Sequence, residues 1–191
     1  MKLLGPKSLV SRPVTDRVKE SLFSILYKYD LPEGALVTDL FCGVGSLGLE
    51  ALSRGAKFVT FVERDPRIIV ILKRNIEKAG FVGNSKVIKA DAFKTGAANN
   101  TDGKKSNIVF VDPPYSTTIN VRASSALCNL LVLLGGQVAD NGIAVVRTER
   151  NVSLLERYGK FRAIERRQWG TMVVTILGLA NDEQTGIDKD N

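Results

Sequence analysis

One segment limits the fold of this chain more than any other: ALVTDLFCGVGSLGLEALSRG, residues 35–55. An apolar, β-branched run reaches Asp39, passes through Gly43-x-Gly45-x-x-Gly48 and enters a helix-forming stretch that stops at Gly55. Glycines at that spacing let a strand turn sharply into a helix, let the helix pack close to the strand, and bring main-chain N–H groups up to a ligand. The residues around it repeat the alternation. Strands are predicted over 57–63, 85–90, 107–112 and 142–149. Helices are predicted over 15–29, with Thr15 as N-cap and Val18, Leu22, Ile25 and Leu26 as the apolar face, and from Pro66 to Lys78, stopped by Gly80. Another lies within 123–134, halted by Gly135-Gly136, and a short one over 151–159. Residues 161–177 read as two strands joined near Trp169-Gly170. Strands alternating with helices of this length imply a doubly wound α/β fold with a Rossmann-like sheet, mostly parallel, plus an antiparallel addition near the C-terminus. Residues 1–180 are expected to form one domain, and the polar stretch 181–191 a disordered tail.

Composition excludes several chemistries. The 191 residues include no histidine, which rules out Ser-His-Asp and Cys-His catalysis and histidine-rich metal sites. Cys42 and Cys128 form no spaced pair, so neither a disulfide framework nor a metal site is expected. No apolar run approaches the roughly 20 residues of a membrane span, and the first ten residues do not read as a secretory signal. A cytoplasmic monomer is the expectation. Net charge is +7, with basic residues gathered near the N-terminus and between Arg147 and Arg167, which suits a polyanionic partner.

A glycine loop of this kind serves both dinucleotides and S-adenosylmethionine. Glu63, at the end of the second strand, is placed to accept hydrogen bonds from ribose hydroxyls. Asp39 would face a pyrophosphate unfavourably but suits the ammonium of a methionine moiety. Asp91, after the third strand, can accept from an adenine amine or cap a helix. Phe41 and Ala92 border the same site. Together the acids favour the cationic sulfonium cofactor over NAD.

The fourth strand ends in Asp112-Pro113-Pro114-Tyr115. In an open α/β sheet, ligands bind beyond the carboxyl ends of the strands near the switch in strand order. A carboxylate and a fixed carbonyl there can accept the two N–H bonds of an exocyclic amine and turn its lone pair toward an electrophile. Asp112 and the carbonyl of Pro113 suit those roles, the prolines fix the exit, and Tyr115 can stack on a base. Such transfer needs no strong general base, so the missing histidine is no obstacle.

DLFCGVGSLGLEALSRGA, FVERD and FVDPPY, with SRPVTDRVKESLFSIL before them and ERRQWGTMVVTIL after, resemble the bacterial methyltransferases that modify the N2 amine of a guanine in 16S rRNA. The resemblance implies S-adenosylmethionine as cofactor, held by Asp39, Phe41, Gly43, Gly45, Glu63, Asp91 and Ala92. It implies Asp112, Pro113, Pro114 and Tyr115 at the target amine, and Thr15, Arg17 and Arg12 near the methionine end or the RNA. It also implies 16S rRNA, the 30S subunit or an assembly intermediate as partner, with Arg12, Lys19, Arg166 and Arg167 as RNA contacts. Two positions depart from the family: Arg-Pro-Val-Thr stands where Arg-Pro-Thr is usual, and Trp169 where tyrosine is frequent. Two other readings remain open at this point, a DNA adenine-N6 or cytosine-N4 methyltransferase and a non-catalytic RNA-binding module on the same fold.

Overall fold

The expected strands all form in the computed structural model, which describes residues 3–5, 15–97, 103–122 and 124–180. The chain runs α1 (Asp16–Leu26), β1 (Leu36–Leu40), α2 (Ser46–Ser53), β2 (Phe58–Glu63), α3 (Pro66–Ala79), β3 (Ser85–Lys89), α4 (Ala92–Thr95) and β4 (Ser106–Val111). It continues through α5 (Ala126–Leu134), β5 (Val138–Glu149), β6 (Arg157–Tyr158), β7 (Phe161–Trp169) and β8 (Met172–Leu179). Among the described residues, eight strands form one sheet in the order β3-β2-β1-β4-β5-β8-β7-β6. β3 through β5 pair in parallel, and β8, β7 and β6 extend the sheet antiparallel.

The sheet is covered on both faces, and the strands show why. In β4, Ile108 and Phe110 join the apolar cluster under α1, α2 and α3, while Val109 and Val111 join the cluster under α5. β5 divides in the same way, Ile143 and Val145 to one side and Ala144 and Val146 to the other. Alternate residues point to opposite faces, so a strand buried on both sides must be apolar throughout. The order of the strands reverses between β1 and β4, with Leu40 opposite Val111. Both strands end at that switch, and the glycine loop and Asp112 leave from it side by side.

The helix ends follow local chemistry. Asp65 accepts from the Arg67 N–H at 2.9 Å ahead of Pro66, and Gly80 closes α3 in a left-handed conformation. Ser125 caps α5 by accepting from the Cys128 N–H at 3.1 Å. Thr15 does hold the N-cap position of α1, but its side chain makes no capping bond; its carbonyl accepts from Val18 and Lys19 instead. Fully buried Asn75, on α3, binds the N-terminal residues to the glycine loop. It accepts from the Leu4 N–H at 2.8 Å and donates to the carbonyls of Leu4 and Val44, each at 3.0 Å.

The helix expected over 151–159 does not form. The Val152 N–H closes a turn on the Glu149 carbonyl, and the chain then runs without regular structure into the short strand β6. Tertiary burial overrides local propensity here. Val152 and Tyr158 both sink into the core, the Tyr158 hydroxyl accepts from the Leu155 N–H at 2.9 Å, and β6 pairs with β7. The tail expected at 181–191 lies outside the described residues.

Gly48 shows how tightly α2 lies on the sheet. A Cβ there would sit 2.3 Å from Phe61 Cε1 and 2.9 Å from Val59 Cγ1. We predict that Gly48→Ala destabilises the fold by about 1–3 kcal/mol, the usual range for overpacking. In a chain of this size that lowers the melting temperature by roughly 5 °C, as thermal unfolding would read.

Candidate active site

β1 delivers Asp39 and then a loop in unusual backbone conformations. Phe41, Gly43 and Gly45 all have positive φ, at 57°, 54° and 90°. Phe41 is the costly member, because a side chain disfavours that region; its ring meets Phe93 at 4.8 Å. At Gly43 an added Cβ would meet nothing within 4 Å, so the main chain there is open to an approaching group.

Glu63 holds the loop from β2. One carboxylate oxygen accepts from the Gly43 N–H at 3.0 Å, the other from the Arg64 and Asp65 N–H groups at 2.8 and 2.9 Å. A carboxylate offers about four acceptor positions, so this orientation leaves room for a hydroxyl. Asp91 caps α4, accepting from the Phe93 N–H at 3.1 Å, with Ala92 buried behind it.

Asp39 does not reach into the open site. It is 1% exposed, and Oδ2 accepts from the Gly48 N–H at 2.8 Å, beneath the loop. Gly45, the N-cap of α2, has no side chain to cap with, and Asp39 supplies that acceptor from the neighbouring strand. Burial pushes its carboxyl up to about 8; the Gly48 N–H opposes the rise, and Asp112 and Glu63 add to it.

Asp112 stands just beyond β4, half-buried, with its carboxylate hydrogen-bonded to Nε of Arg147 on β5. Burial raises the Asp112 carboxyl above its ordinary range, and the Arg147 charge and hydrogen bond pull it back. Pro113 is buried and Pro114 exposed, and Tyr115 opens a single 3-10 turn, Tyr115–Thr117. The Pro114 carbonyl closes that turn by accepting from the Thr117 N–H at 2.9 Å, and the Tyr115 carbonyl takes the Thr118 N–H at 2.9 Å. The Arg147 guanidinium lies 5.8 Å from the centre of the Tyr115 ring and donates to the Met172 sulfur at 3.8 Å. Asp112 and Arg147 line a small pocket with Val18 and Leu22 of α1, Leu47 of α2 and Val174 of β8.

The structure thus brings Phe41, Gly43, Gly45, Glu63, Asp112, Pro113, Pro114 and Tyr115 to one edge of the sheet, with Asp91 and Ala92 following β3. Arg17 is exposed on α1. Lys19 is a correction. Its ammonium turns back to Asp16 at 3.0 Å and Glu50 at 3.5 Å, tying α1 to α2 instead of offering a free cation to RNA. Arg166 and Arg167 are exposed on β7, and Arg167 pairs with Glu165 at 2.7 Å. Arg12 lies outside the described residues. From sequence, Arg147 stands out only as one of the late basic residues. The available signal was a cation interrupting the apolar strand GIAVV-R-TE, one residue beyond the pairing of Val111 with Val146.

A Rossmann-like sheet with this loop, and with Asp-Pro-Pro-Tyr at its switch point, points to a methyltransferase. Comparison with known proteins narrows the class: the family model described as "Conserved hypothetical protein 95" matches residues 1–178, and the chain belongs to that family. It is similar to the ribosomal RNA small subunit methyltransferase D of Escherichia coli, 36% identical over 153 residues, covering 78% of this chain and 69% of that protein. It is also similar to Bacillus subtilis YlbH, assigned as an rRNA methyltransferase, at 33% identity over 170 residues, 87% of this chain and 86% of that one. The solved structure of yhhF from Escherichia coli, assigned as a methyltransferase, superposes with a TM-score of 0.75 at 30% identity, covering 94% of this chain and 92% of that one.

The buried Asp39 has a consequence for stability. From about pH 4 to about pH 8 the folded protein keeps a proton on Asp39 that the unfolded chain has released, so this group lowers stability as pH rises through that window. Asp39→Asn keeps an acceptor for Gly48 and removes the titration. Its stability relative to the parent should therefore rise between pH 5 and pH 8, by on the order of 1 kcal/mol per pH unit at most. Urea unfolding of the ligand-free proteins at the two pH values measures this.

Proposed function

We propose that this protein transfers a methyl group from S-adenosylmethionine to the exocyclic N2 amine of a guanine in 16S rRNA. The observation that carries the reading is the placement of Asp112-Pro-Pro-Tyr at the carboxyl edge of β4, directly beside the glycine loop of β1. The chain's membership of a family whose relatives are named for small-subunit rRNA methylation supports the choice of substrate.

The residues present fit the cofactor. The main chain at Gly43 is open and would admit the methionine part, Glu63 has acceptor capacity for a ribose hydroxyl, and Asp91 and Ala92 would border the adenine. Asp39 supports the loop from below. When bound, the cofactor supplies an electrophilic methyl group on a cationic sulfur. Asp112 and the Pro113 carbonyl accept the N–H bonds of the guanine amine and so aim its lone pair, while Tyr115 stacks on the base. The methyl group would pass to the amine nitrogen with the electron pair of the broken bond left on sulfur, and Asp112 and the Pro113 carbonyl would hold that nitrogen while its surplus proton leaves to water. Arg166, Arg167 and Arg17 would meet RNA phosphates. The substrate is 16S rRNA, free or within the 30S subunit, in the cytoplasm, and the enzyme would act as a monomer.

Labelled cofactor incubated with 30S subunits, naked 16S rRNA and duplex DNA tests the reading. Label should enter RNA, as N2-methylguanine after digestion; label only in DNA would refute the substrate class. Asp112→Ala should lower turnover at least about a hundredfold, the scale expected when a reacting group is no longer positioned, with cofactor affinity by calorimetry within about threefold of the parent.

The basic rim gives a separate expectation. Arg166→Ala with Arg167→Ala should weaken RNA binding uniformly across sequences. It should also reduce the slope of log affinity against log salt by about one for each phosphate that these side chains neutralise. Filter binding at several salt concentrations reads both effects, and an unchanged slope would remove these residues from the interface.

A further inference from the structure

We infer that Arg147 is a positioning residue, which locks both sides of the amine grip into one geometry. The inference rests on the reading of Asp112 and Tyr115 given above, and goes beyond it by assigning the group that holds them. Three observations converge on this side chain. Its Nε donates to the Asp112 carboxylate, its guanidinium lies 5.8 Å from the Tyr115 ring centre, and its NH1 donates to the Met172 sulfur. The side chain is only 14% exposed, although it carries a full charge at the end of a strand.

Its position follows from the sheet. Val145 lies opposite Phe110 and Val146 opposite Val111, so the next residue of β5 comes level with Asp112. Arg147 also pairs in register with Val174 of β8, and Met172 of the same strand supplies the sulfur contact. The guanidinium is therefore confined by β4, β5 and β8 together. A planar group suits this place, because one edge can serve the carboxylate while the face approaches the ring. An ammonium could answer the charge but not both directions at once.

The functional consequence concerns Asp112. Residues facing it from α1 (Val18, Leu22), α2 (Leu47) and β8 (Met172, Val174) carry no charge. Asp39 on β1, itself beside Glu63, is a like charge when ionised, and Tyr115 lies on the same segment as Asp112. Burial raises the Asp112 carboxyl, and Arg147 opposes that rise, favouring the ionised form that accepts an amine N–H, while its hydrogen bond fixes the carboxylate's orientation. Asp112 then serves as an acceptor held in one orientation.

Carboxyl carbon NMR of aspartate-labelled protein, with the Asp112 signal assigned through Asp112→Asn, reads the ion pair without any turnover. In Arg147→Met that carboxyl should titrate higher by about one pH unit or more, the scale expected when an opposite charge is removed. In methyl transfer to 16S rRNA, the same variant should lose about tenfold or more in kcat. The acid limb of its pH profile should move upward, with KM for RNA and affinity for the cofactor within about threefold of the parent. Arg147→Lys should restore the titration without restoring kcat in full. An unchanged Asp112 titration in folded Arg147→Met, or a loss confined to KM for RNA, would overturn the assignment. Should Arg147→Met fail to fold, Arg147→Lys decides alone, since a parental kcat in that variant would also overturn it. A parent protein inactive on rRNA would sink the functional reading, while the NMR titration would still report on the Asp112–Arg147 pair.

Discussion

The parallel pairing of β1 with β4 is the constraint on which the site depends. Leu40 stands opposite Val111, so the two strands stop at one level. The chain then leaves β1 through the glycine loop and leaves β4 through Asp112. Neither exit defines a site alone. A slip of one residue in this register would turn the apolar side chains of β4 to the wrong faces, and would also carry Asp112 away from the loop. The apolar burial that sets the register, Ile108 and Phe110 on one side and Val109 and Val111 on the other, therefore also sets where Asp112 stands against the loop.

The loop itself is held from three directions. Asp39 bonds to Gly48 from below, Glu63 bonds to Gly43 from β2, and Asn75 bonds to Val44 from α3. Each partner comes from a different element, and each meets a main-chain group. This explains how Phe41 can remain at positive φ: the surroundings over-determine the backbone. Asn75 adds a second link, because it also binds the main chain of Leu4 in both directions. The N-terminal residues and the loop thus share one buried amide.

Much of this could be read from the sequence, and the reasons are physical. Glycine spacing, strand-end acids and the Asp-Pro-Pro-Tyr exit are local signals, and they point Gly43, Gly45, Glu63 and Asp112 to one edge. Sequence misleads where distant partners decide. Residues 151–159 have a helical pattern, but Val152 and Tyr158 are drawn into the core, Tyr158 into the cluster around α5. Lys19 reads as a free surface cation until α2 supplies Glu50. Asp39 reads as a ligand-facing acid until Gly48 claims it. Arg147 gains its meaning only from the strand beside it. In each case the partner lies outside the window in which periodicity or a motif is legible.

The acids of the site make one further point. Asp39, Glu63 and Asp112 gather around the loop of a chain whose net charge is +7; burial raises the Asp39 carboxyl, and the other two acids add to the rise. Each is accommodated differently. Asp39 holds its proton to higher pH, Glu63 is surrounded by main-chain N–H groups, and Asp112 is paired with Arg147. A pyrophosphate brought to this edge would meet the Glu63 carboxylate as a like charge, whereas an ammonium or a sulfonium would be attracted to it. In the proposed reaction the same arrangement would hold a neutral amine without protonating it, because the carboxylate nearest to it is paired with a guanidinium. A transfer that needs an aimed lone pair and a cationic methyl donor is matched by both properties, and neither depends on the imidazole that this chain lacks.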